Sequence, residues 1–141
     1  MKCWKFAVCC VTAFALTLPA GAFGASDSVP ETVKQDLSKV ADTLVKNAAK
    51  NIRPNIKTKE VKADDKGGFV ACYVEVDASD VQTEVTPSAA PGKYVGAIRY
   101  TECQYECPGK NKAEALKAEC RMVKSRRIKE LISYEKGKWH Y

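Results

Sequence analysis

Residues 33–48, VKQDLSKVADTLVKNA, carry the clearest periodic pattern in this sequence of 141 residues. Their apolar positions recur at spacings of four, three, four and four, which places them on one side of an α-helix. These positions are Val33, Leu37, Val40, Leu44 and Ala48. The alternative to a helix packed on a sheet is an amphipathic helix on a membrane surface. We favour the packed helix, because the stripe lacks the Trp or Phe anchors of membrane-surface helices.

The ends of this helix have sequence signals of their own. Ser28 and Glu31 have the Ser-x-x-Glu spacing of a capping box, with Pro30 in the first turn. Pro54 disfavours helical geometry in the residue before it, so the helix is expected to end near Asn51. The pattern therefore predicts one long helix that begins near Ser28.

After this helix the apolar period changes towards two, which is typical of β-strands. The strand candidates are residues 56–63, 69–77, 80–86 and 94–106. Residues 64–68 (DDKGG) and 87–92 (PSAAPG) consist of turn-forming residues. The middle of the chain therefore predicts antiparallel strands joined by short turns.

The last third of the chain leaves one element open. Residues 111–119 are helix formers, with Asn111 as the cap. Residues 120–129 fit either a continued helix or one side of a strand. A turn signal at 135–138 favours the strand, because it would close a hairpin on Trp139 and Tyr141.

Together these elements predict an α+β fold in one domain. In this fold the N-terminal amphipathic helix packs on a curled antiparallel sheet of four to five strands, and a short helix comes late in the chain. The order of elements resembles that of cystatin-like folds, which is an analogy of architecture. The Gln-x-Val-x-Gly loop of cystatins is not matched, because Glu84 and Thr86 stand where Val and Gly belong in the nearest stretch, residues 82–86. The resemblance therefore implies a fold and no protease binding.

The first 25 residues have the three-part pattern of a secretory signal peptide. Lys2 and Lys5 precede an apolar run of 13 residues, and small residues follow with possible cuts after Ala22 or Gly24. The run is too short for a membrane span, which needs about 20 apolar residues, although a retained anchor is the alternative. We therefore expect a signal peptide at residues 1–25, cut near 22–25, and a single disulfide-stabilised domain at 26–141. This domain would be periplasmic or secreted.

Removal of the signal peptide would take three of the seven cysteines. The four that remain are Cys72, Cys103, Cys107 and Cys120. An even number in a small exported domain predicts two disulfides. Cys103 and Cys107 would be about 13 Å apart on an extended strand, which exceeds the limit of about 7 Å between bonded Cα atoms. We prefer the pairs Cys107–Cys120 and Cys72–Cys103.

Reactive roles for these cysteines are less favoured than disulfides. A zinc site would need two paired motifs, but the Cys103-x-x-x-Cys107 spacing has no partner pair. An exported thiol–disulfide enzyme that uses Cys103 and Cys107 is the main functional alternative. It departs from the Cys-x-x-Cys spacing of such enzymes.

Candidate catalytic residues are scarce. His140 is the only His, and it is the penultimate residue, where nothing beyond it fixes its position as a general base. Nucleophile elbows, phosphate loops, zinc-protease motifs and dinucleotide fingerprints are all missing. We therefore expect neither an enzyme nor a cofactor or metal site.

Charge is distributed unevenly along the chain, which carries a net charge of +6. Residues 108–141 hold ten basic and four acidic residues, whereas residues 26–107 hold eleven basic and thirteen acidic residues. The candidate anion-binding surface consists of Lys124, Arg126, Arg127, Lys129, Lys138 and Trp139. The alternative is a solvated strand whose basic residues prevent aggregation.

These observations favour an exported, non-catalytic binding or accessory domain of the bacterial cell envelope. Its partner would be an anionic envelope component or an acidic protein. Nucleic acid is disfavoured because the protein is expected to leave the cytoplasm. A purely structural secreted domain is the remaining alternative.

Overall fold

The structure of the protein is a computed structural model that describes residues 28–141. The predicted signal peptide at residues 1–25 lies outside the described residues. The elements are α1 (Glu31–Asn51), β1 (Glu60–Ala63), β2 (Phe69–Pro87), β3 (Tyr94–Gly109), α2 (Lys112–Lys117), β4 (Arg121–Glu135) and β5 (Lys138–His140). The strands form one antiparallel sheet in the order β1-β2-β3-β4-β5. The predicted α+β class, with a curled antiparallel sheet and a short late helix, is confirmed.

Helix α1 begins later than its capping signal predicts. Pro30 occupies the N-cap with a ψ of 139°, and no side chain caps the helix. Its carbonyl oxygen accepts a hydrogen bond from the amide of Val33 at 3.1 Å. The capping box at Ser28 is therefore wrong, because the extended Pro30 places Ser28 outside the first turn. The end of the helix at Asn51 agrees with the prediction.

The most deeply buried residues of α1 follow a spacing of four and differ in part from the predicted stripe. They are Val33, Leu37, Ala41 and Val45. The predicted Val40, Leu44 and Ala48 lie beside this line and are half-buried. The same core cluster contains residues of three strands, namely Ile98, Tyr100, Ile132 and Trp139. We call the side of the sheet that carries these residues the α1 face.

Strand β2 runs without interruption where the sequence predicted two strands. Asp77 pairs with Thr101 and Gln82 pairs with Arg99, so five steps along β2 correspond to two steps along β3. Strand β2 therefore carries three extra residues at this point. An odd number of extra residues reverses the alternation of side chains between faces. As a result, residues on both sides of the irregularity, Val76 and Val85, pack against the same core cluster.

Residues 120–129, which the sequence left open, belong mainly to β4. This strand turns back into β5 through Lys136 and Gly137, whose φ angles of 52° and 80° are both left-handed. Two left-handed residues make the tight hairpin turn whose twist matches that of its strands. The strand interpretation of this region is therefore the correct one.

Helix α2 lies on the opposite side of the sheet, which we call the α2 face. It contributes to a second cluster, composed of Ala71, Tyr73, Cys107 and Ala115. A disulfide joins Cys107 to Cys120 and so connects the end of β3 to the residue before β4, around α2. Closing a loop of this size stabilises a fold by about 3 kcal/mol in the chain-entropy model.

The second preferred disulfide, Cys72–Cys103, is not formed, and both residues are unpaired within residues 28–141. Cys72 pairs in register with Glu106, three residues from Cys103 on β3. Side chains of a strand alternate between faces, so Cys72 lies on the α1 face and Cys103 on the α2 face. Cysteines on neighbouring strands can form a disulfide only if the register places them close together on the same face, and the register of β2 and β3 does not.

A close contact between α1 and the sheet at Gly96 provides a test of this packing. A Cβ atom built at Gly96 would lie 2.8 Å from Leu37 Cδ1 and 2.8 Å from Trp139 Cζ3. We expect Gly96→Ala to lower the free energy of unfolding by about 1–3 kcal/mol, because the core would be overpacked. Urea unfolding followed by circular dichroism measures the change.

Two controls accompany this variant. Ser133→Ala adds no atom at an exposed position of β4 and should have little effect. In a Leu37→Ala background, the additional cost of Gly96→Ala should shrink, because one of the two obstructing side chains is gone. Equal urea midpoints for Gly96→Ala and the unmodified protein would contradict this packing.

Tyr100 gives the fold a pH dependence on the alkaline side. Its hydroxyl donates a 2.7 Å hydrogen bond to Glu130 Oε1. Burial, and then this bond to Glu130, raises the pKa of Tyr100 above its ordinary value of 10.0. The folded chain then holds this proton more tightly than the unfolded chain. Stability should therefore fall as the pH rises above 10.0, where the unfolded chain loses the proton. In Tyr100→Phe this part of the decline should disappear from the pH profile of the urea midpoint.

Candidate anion-binding site

Strand β4 divides the predicted basic residues between the two faces of the sheet. Lys124 and Arg126 pair in register with Gln104 and Glu102, which places them on the α1 face. The neighbouring residues Arg127 and Lys129 pair with Thr101 and Arg99 and lie on the α2 face. The six residues predicted as one surface are therefore not a single patch, because a strand cannot direct consecutive side chains to one side.

On the α2 face, both arginines of this region are paired with carboxylates, whereas Lys129 forms no salt bridge within residues 28–141. The guanidinium of Arg127 pairs with the carboxylate of Asp80, and Arg99 Nη2 lies 2.7 Å from Glu84 Oε2. The hydrogen bond and charge of Arg99 hold the pKa of Glu84 below its usual range, with a smaller effect from Lys129. An anion would have to compete with these carboxylates, so this face is the weaker candidate.

On the α1 face, a groove opens between the C-terminal end of α1 and strand β4. It consists of two adjoining cavities of about 430 and about 210 Å³, which share Val74 in their lining. Basic side chains line it from both directions. We call it the basic groove and define it by Lys50, Arg53, Lys57, Val74, Lys124 and Arg126.

Two of the cations in the basic groove already have partners. Arg126 Nη2 lies 2.6 Å from Glu102 Oε2. Arg53 Nη1 donates hydrogen bonds to the carbonyl oxygens of Lys50 and Ile52, at 3.0 and 2.6 Å. These carbonyls are at the negative end of α1, so Arg53 offsets the helix dipole there.

The three lysines of the groove are uncompensated. No carboxylate of residues 28–141 lies within 4.0 Å of the ammonium nitrogen of Lys50, Lys57 or Lys124. A bound anion would supply the opposite charge that these lysines lack. The groove therefore has charge and space for an anionic group over an apolar floor at Val74.

The remaining predicted surface residues lie elsewhere. Trp139 is only 8% exposed and belongs to the core, so its inclusion in a binding surface is wrong. Its ring packs edge-on against Tyr134, with 5.1 Å between ring centroids. The hairpin returns Trp139 to the α1 face, whereas Lys138, opposite Glu135, is exposed.

The cysteines do not form a dithiol pair. Cys103 is buried, and Cys107 is bonded to Cys120. Burial, and then the charge of Glu106, raises the pKa of the Cys72 thiol. A raised pKa makes a thiol less reactive at neutral pH. Cys103 and Cys107 therefore do not form the free dithiol that a thiol–disulfide enzyme would use.

The candidate general base and the possible metal ligands are not gathered into a site in the part of the chain that the structure describes. His140 is exposed, with its Nε2 atom 3.3 Å from the carbonyl oxygen of Glu135. Within residues 28–141, no three His, Cys, Asp or Glu side chains are grouped to hold a metal ion. None of the helices in this range is both long and apolar enough to cross a membrane.

Sequence reasoning missed the half of the groove contributed by α1 and the loop after it. Lys50 is not part of the predicted apolar stripe of α1, Arg53 directly precedes Pro54, and Lys57 falls within the predicted strand 56–63. The signal in the sequence is the presence of three basic residues within 50–57, followed by Lys59. Whether these residues and Lys124 line one groove depends on the register of β2, β3 and β4, which the sequence does not reveal.

Family models, curated proteins and solved structures provide no match to this chain. The chemistry of the basic groove is therefore argued from its own residues.

Thiol labelling tests the placement of the two unpaired cysteines. In the native protein, iodoacetamide should modify the half-buried Cys72 and leave the buried Cys103 unmodified until urea is added. Because the pKa of Cys72 is raised, its labelling rate should reach half-maximum at a higher pH in the folded than in the unfolded chain. Peptide mass mapping assigns each modification. Equal native labelling of both residues would contradict their placement on different faces.

Proposed function

We propose that the protein is a small non-catalytic binding or accessory domain of the bacterial cell envelope, and that it binds an anionic partner through the basic groove. The observation that carries this proposal is the presence of three uncompensated lysines, Lys50, Lys57 and Lys124, around one open groove. The five cations in the lining outnumber its two carboxylates, Glu75 and Glu102, and an excess of one sign of charge in a cleft attracts ligands of the opposite sign. Carboxylate or phosphate groups of an envelope component or an acidic protein have the required chemistry.

The proposed location outside the cytoplasm has two supports. The N-terminal segment has the composition of a signal peptide. The Cys107–Cys120 disulfide is typical of an oxidising compartment such as the periplasm. Periplasmic or secreted localisation therefore remains part of the proposal.

Two alternatives are weaker. A thiol-active protein that uses Cys103 and Cys107 would need both thiols, but Cys107 is bonded and Cys103 is buried. A purely structural domain would leave the clustering of unpaired lysines without a role. The likeness of α1 and its sheet to cystatin-like architecture is retained only as an analogy, and it brings no protease partner.

A charge-reversal series tests the proposal. Lys50, Lys57 and Lys124 are changed together to Glu, and binding of fluorescent polyglutamate and polyphosphate is measured by anisotropy. The unmodified protein should bind both with an affinity that falls as salt is added. Each cation near an anionic surface is worth about 1 kcal/mol, so the triple variant should bind at least about tenfold more weakly.

The matched control changes Lys34, Lys66 and Lys117 to Glu. These three residues are exposed and lie outside the basic groove, and the net charge changes by the same amount. The control should retain most of the affinity. If both variants lose affinity equally, binding depends on net charge alone and the groove has no special role.

A further inference from the structure

Strand β4 has an unpaired edge along most of its length. It pairs with β3 from Arg121 to Tyr134, but β5 pairs only with residues 133–135 on the other side. On the side opposite β3, residues 121–132 therefore have no strand beside them within the described part of the chain. We call this segment the open edge.

No other element of the described chain covers the open edge. Only β3 and β5 approach β4, and residues 121–127 are all exposed. The backbone hydrogen bonds made outside helices and strands by residues 28–141 do not involve this segment. Every second residue of an edge strand directs its N–H and C=O groups away from its neighbour. These groups are free to pair with another backbone.

The open edge is regular over Lys124–Ile132. An extra residue, Val123, interrupts the register just before it, since Gln104 pairs with Lys124 whereas Tyr105 pairs with Met122. Beyond this point nine residues continue without irregularity as far as Ile132. Such a length exceeds the five or six residues of an ordinary strand, so it accommodates a whole added strand.

Basic side chains flank the open edge on both faces of the sheet. Lys124 and Arg126 lie on the α1 face, and Arg127 and Lys129 lie on the α2 face. A planar anionic membrane would meet one of these rows and leave the other behind. An extended chain lying along the edge would have both rows beside it, because its own side chains alternate in the same way.

A second copy of this chain does not supply a suitable strand. The other long free edge in such a copy is that of β2, which carries acidic residues. This edge is partly blocked, because the amide of Val74 already donates a hydrogen bond to the carbonyl oxygen of Pro54. Three extra residues between Asp77 and Gln82 interrupt the register of β2. Asp80 is also held by Arg127. An acidic strand added at the open edge would therefore have to come from a different protein.

We propose that the open edge of β4 accepts an extended acidic segment of a partner protein as an additional strand of the sheet. This inference rests on the proposed function, and it specifies the anionic partner as a polypeptide. Backbone hydrogen bonds would supply affinity, as in other cases of strand addition. Acidic residues on both faces of the added strand would pair with Lys124 and Lys129, which form no salt bridge within residues 28–141. They would compete with Glu102 for Arg126 and with Asp80 for Arg127. This pattern of charge selects against neutral or basic segments.

The decisive experiment uses two labelled peptides of about ten residues that contain alternating short runs of Glu with Thr and Val. They have the same sequence and charge, but one is N-methylated at every second backbone amide. The unmodified peptide should bind and slow hydrogen exchange at alternate amides of Lys124–Ile132. The N-methylated peptide should bind at least about tenfold more weakly, since it lacks the donors that pair with the edge.

Further arms separate the possible partners. Equal binding of the two peptides would overturn strand addition while leaving the charge-based proposal for the groove intact. Absence of binding by both peptides and by polyglutamate and polyphosphate would overturn both proposals. Binding to phosphatidylglycerol vesicles that protects the same amides would overturn the inference in favour of a membrane surface. Concentration-dependent protection of these amides without peptide would overturn it in favour of a second copy.

Lys129→Glu provides a matched variant, because Lys129 flanks the open edge but lies on the face opposite the basic groove. It should weaken the unmodified peptide several-fold and leave polyphosphate binding at the groove unchanged. Lys57→Glu should weaken polyphosphate binding and leave binding of the unmodified peptide unchanged, since Lys57 lines the groove and does not belong to the open edge. If Lys129→Glu left the affinity for the unmodified peptide unchanged, the basic rows would have no part in recognition, contrary to the proposal.

Discussion

Side chains alternate between the two faces of a β-sheet, and the main core of this protein forms only if apolar residues of each long strand reach the α1 face. Strand β2 meets this constraint with three extra residues between Asp77 and Gln82, which return its later valines to the core. At the centre of the same face, Gly96 leaves room for Leu37 and Trp139. Helix, sheet and C-terminal hairpin thus share one apolar layer.

The same alternation determines where charge and sulfur are found. It separates Lys124 and Arg126 from Arg127 and Lys129, and it keeps Cys72 and Cys103 apart. The α2 face then neutralises its cations with acidic residues of β2, whereas the end of the α1 face beyond the helix does not. An uncovered corner remains where the basic groove adjoins the open edge of β4. Lys124 and Arg126 belong to both, so a ligand at either would contact the other's residues.

Sequence patterns predicted those features that depend on neighbours along the chain. The spacing of residues 33–48 specified α1, and the strong strands at 69–77 and 94–106 lie within β2 and β3. The features that the sequence did not yield depend on register between distant segments. Whether Cys72 reaches Cys103, whether Trp139 is buried, and whether Lys50 and Lys124 line one groove all depend on strand pairings that no local period encodes. The predicted capping box is absent for a local reason. Pro30 is extended and is itself the N-cap, so the side chain of Ser28 does not cap the helix.

The direction of β5 has a practical consequence for fusion proteins. Because His140 pairs with Ser133 in antiparallel register, residues attached after Tyr141 would continue past Ile132 in the direction of Lys124. A flexible attachment holds a tethered segment at an effective concentration of order millimolar. A purification tag at this terminus would thus compete for the vacant strand position, and an acidic tag would do so most strongly. A tag placed after Tyr141 would therefore mask the proposed strand addition in a binding assay.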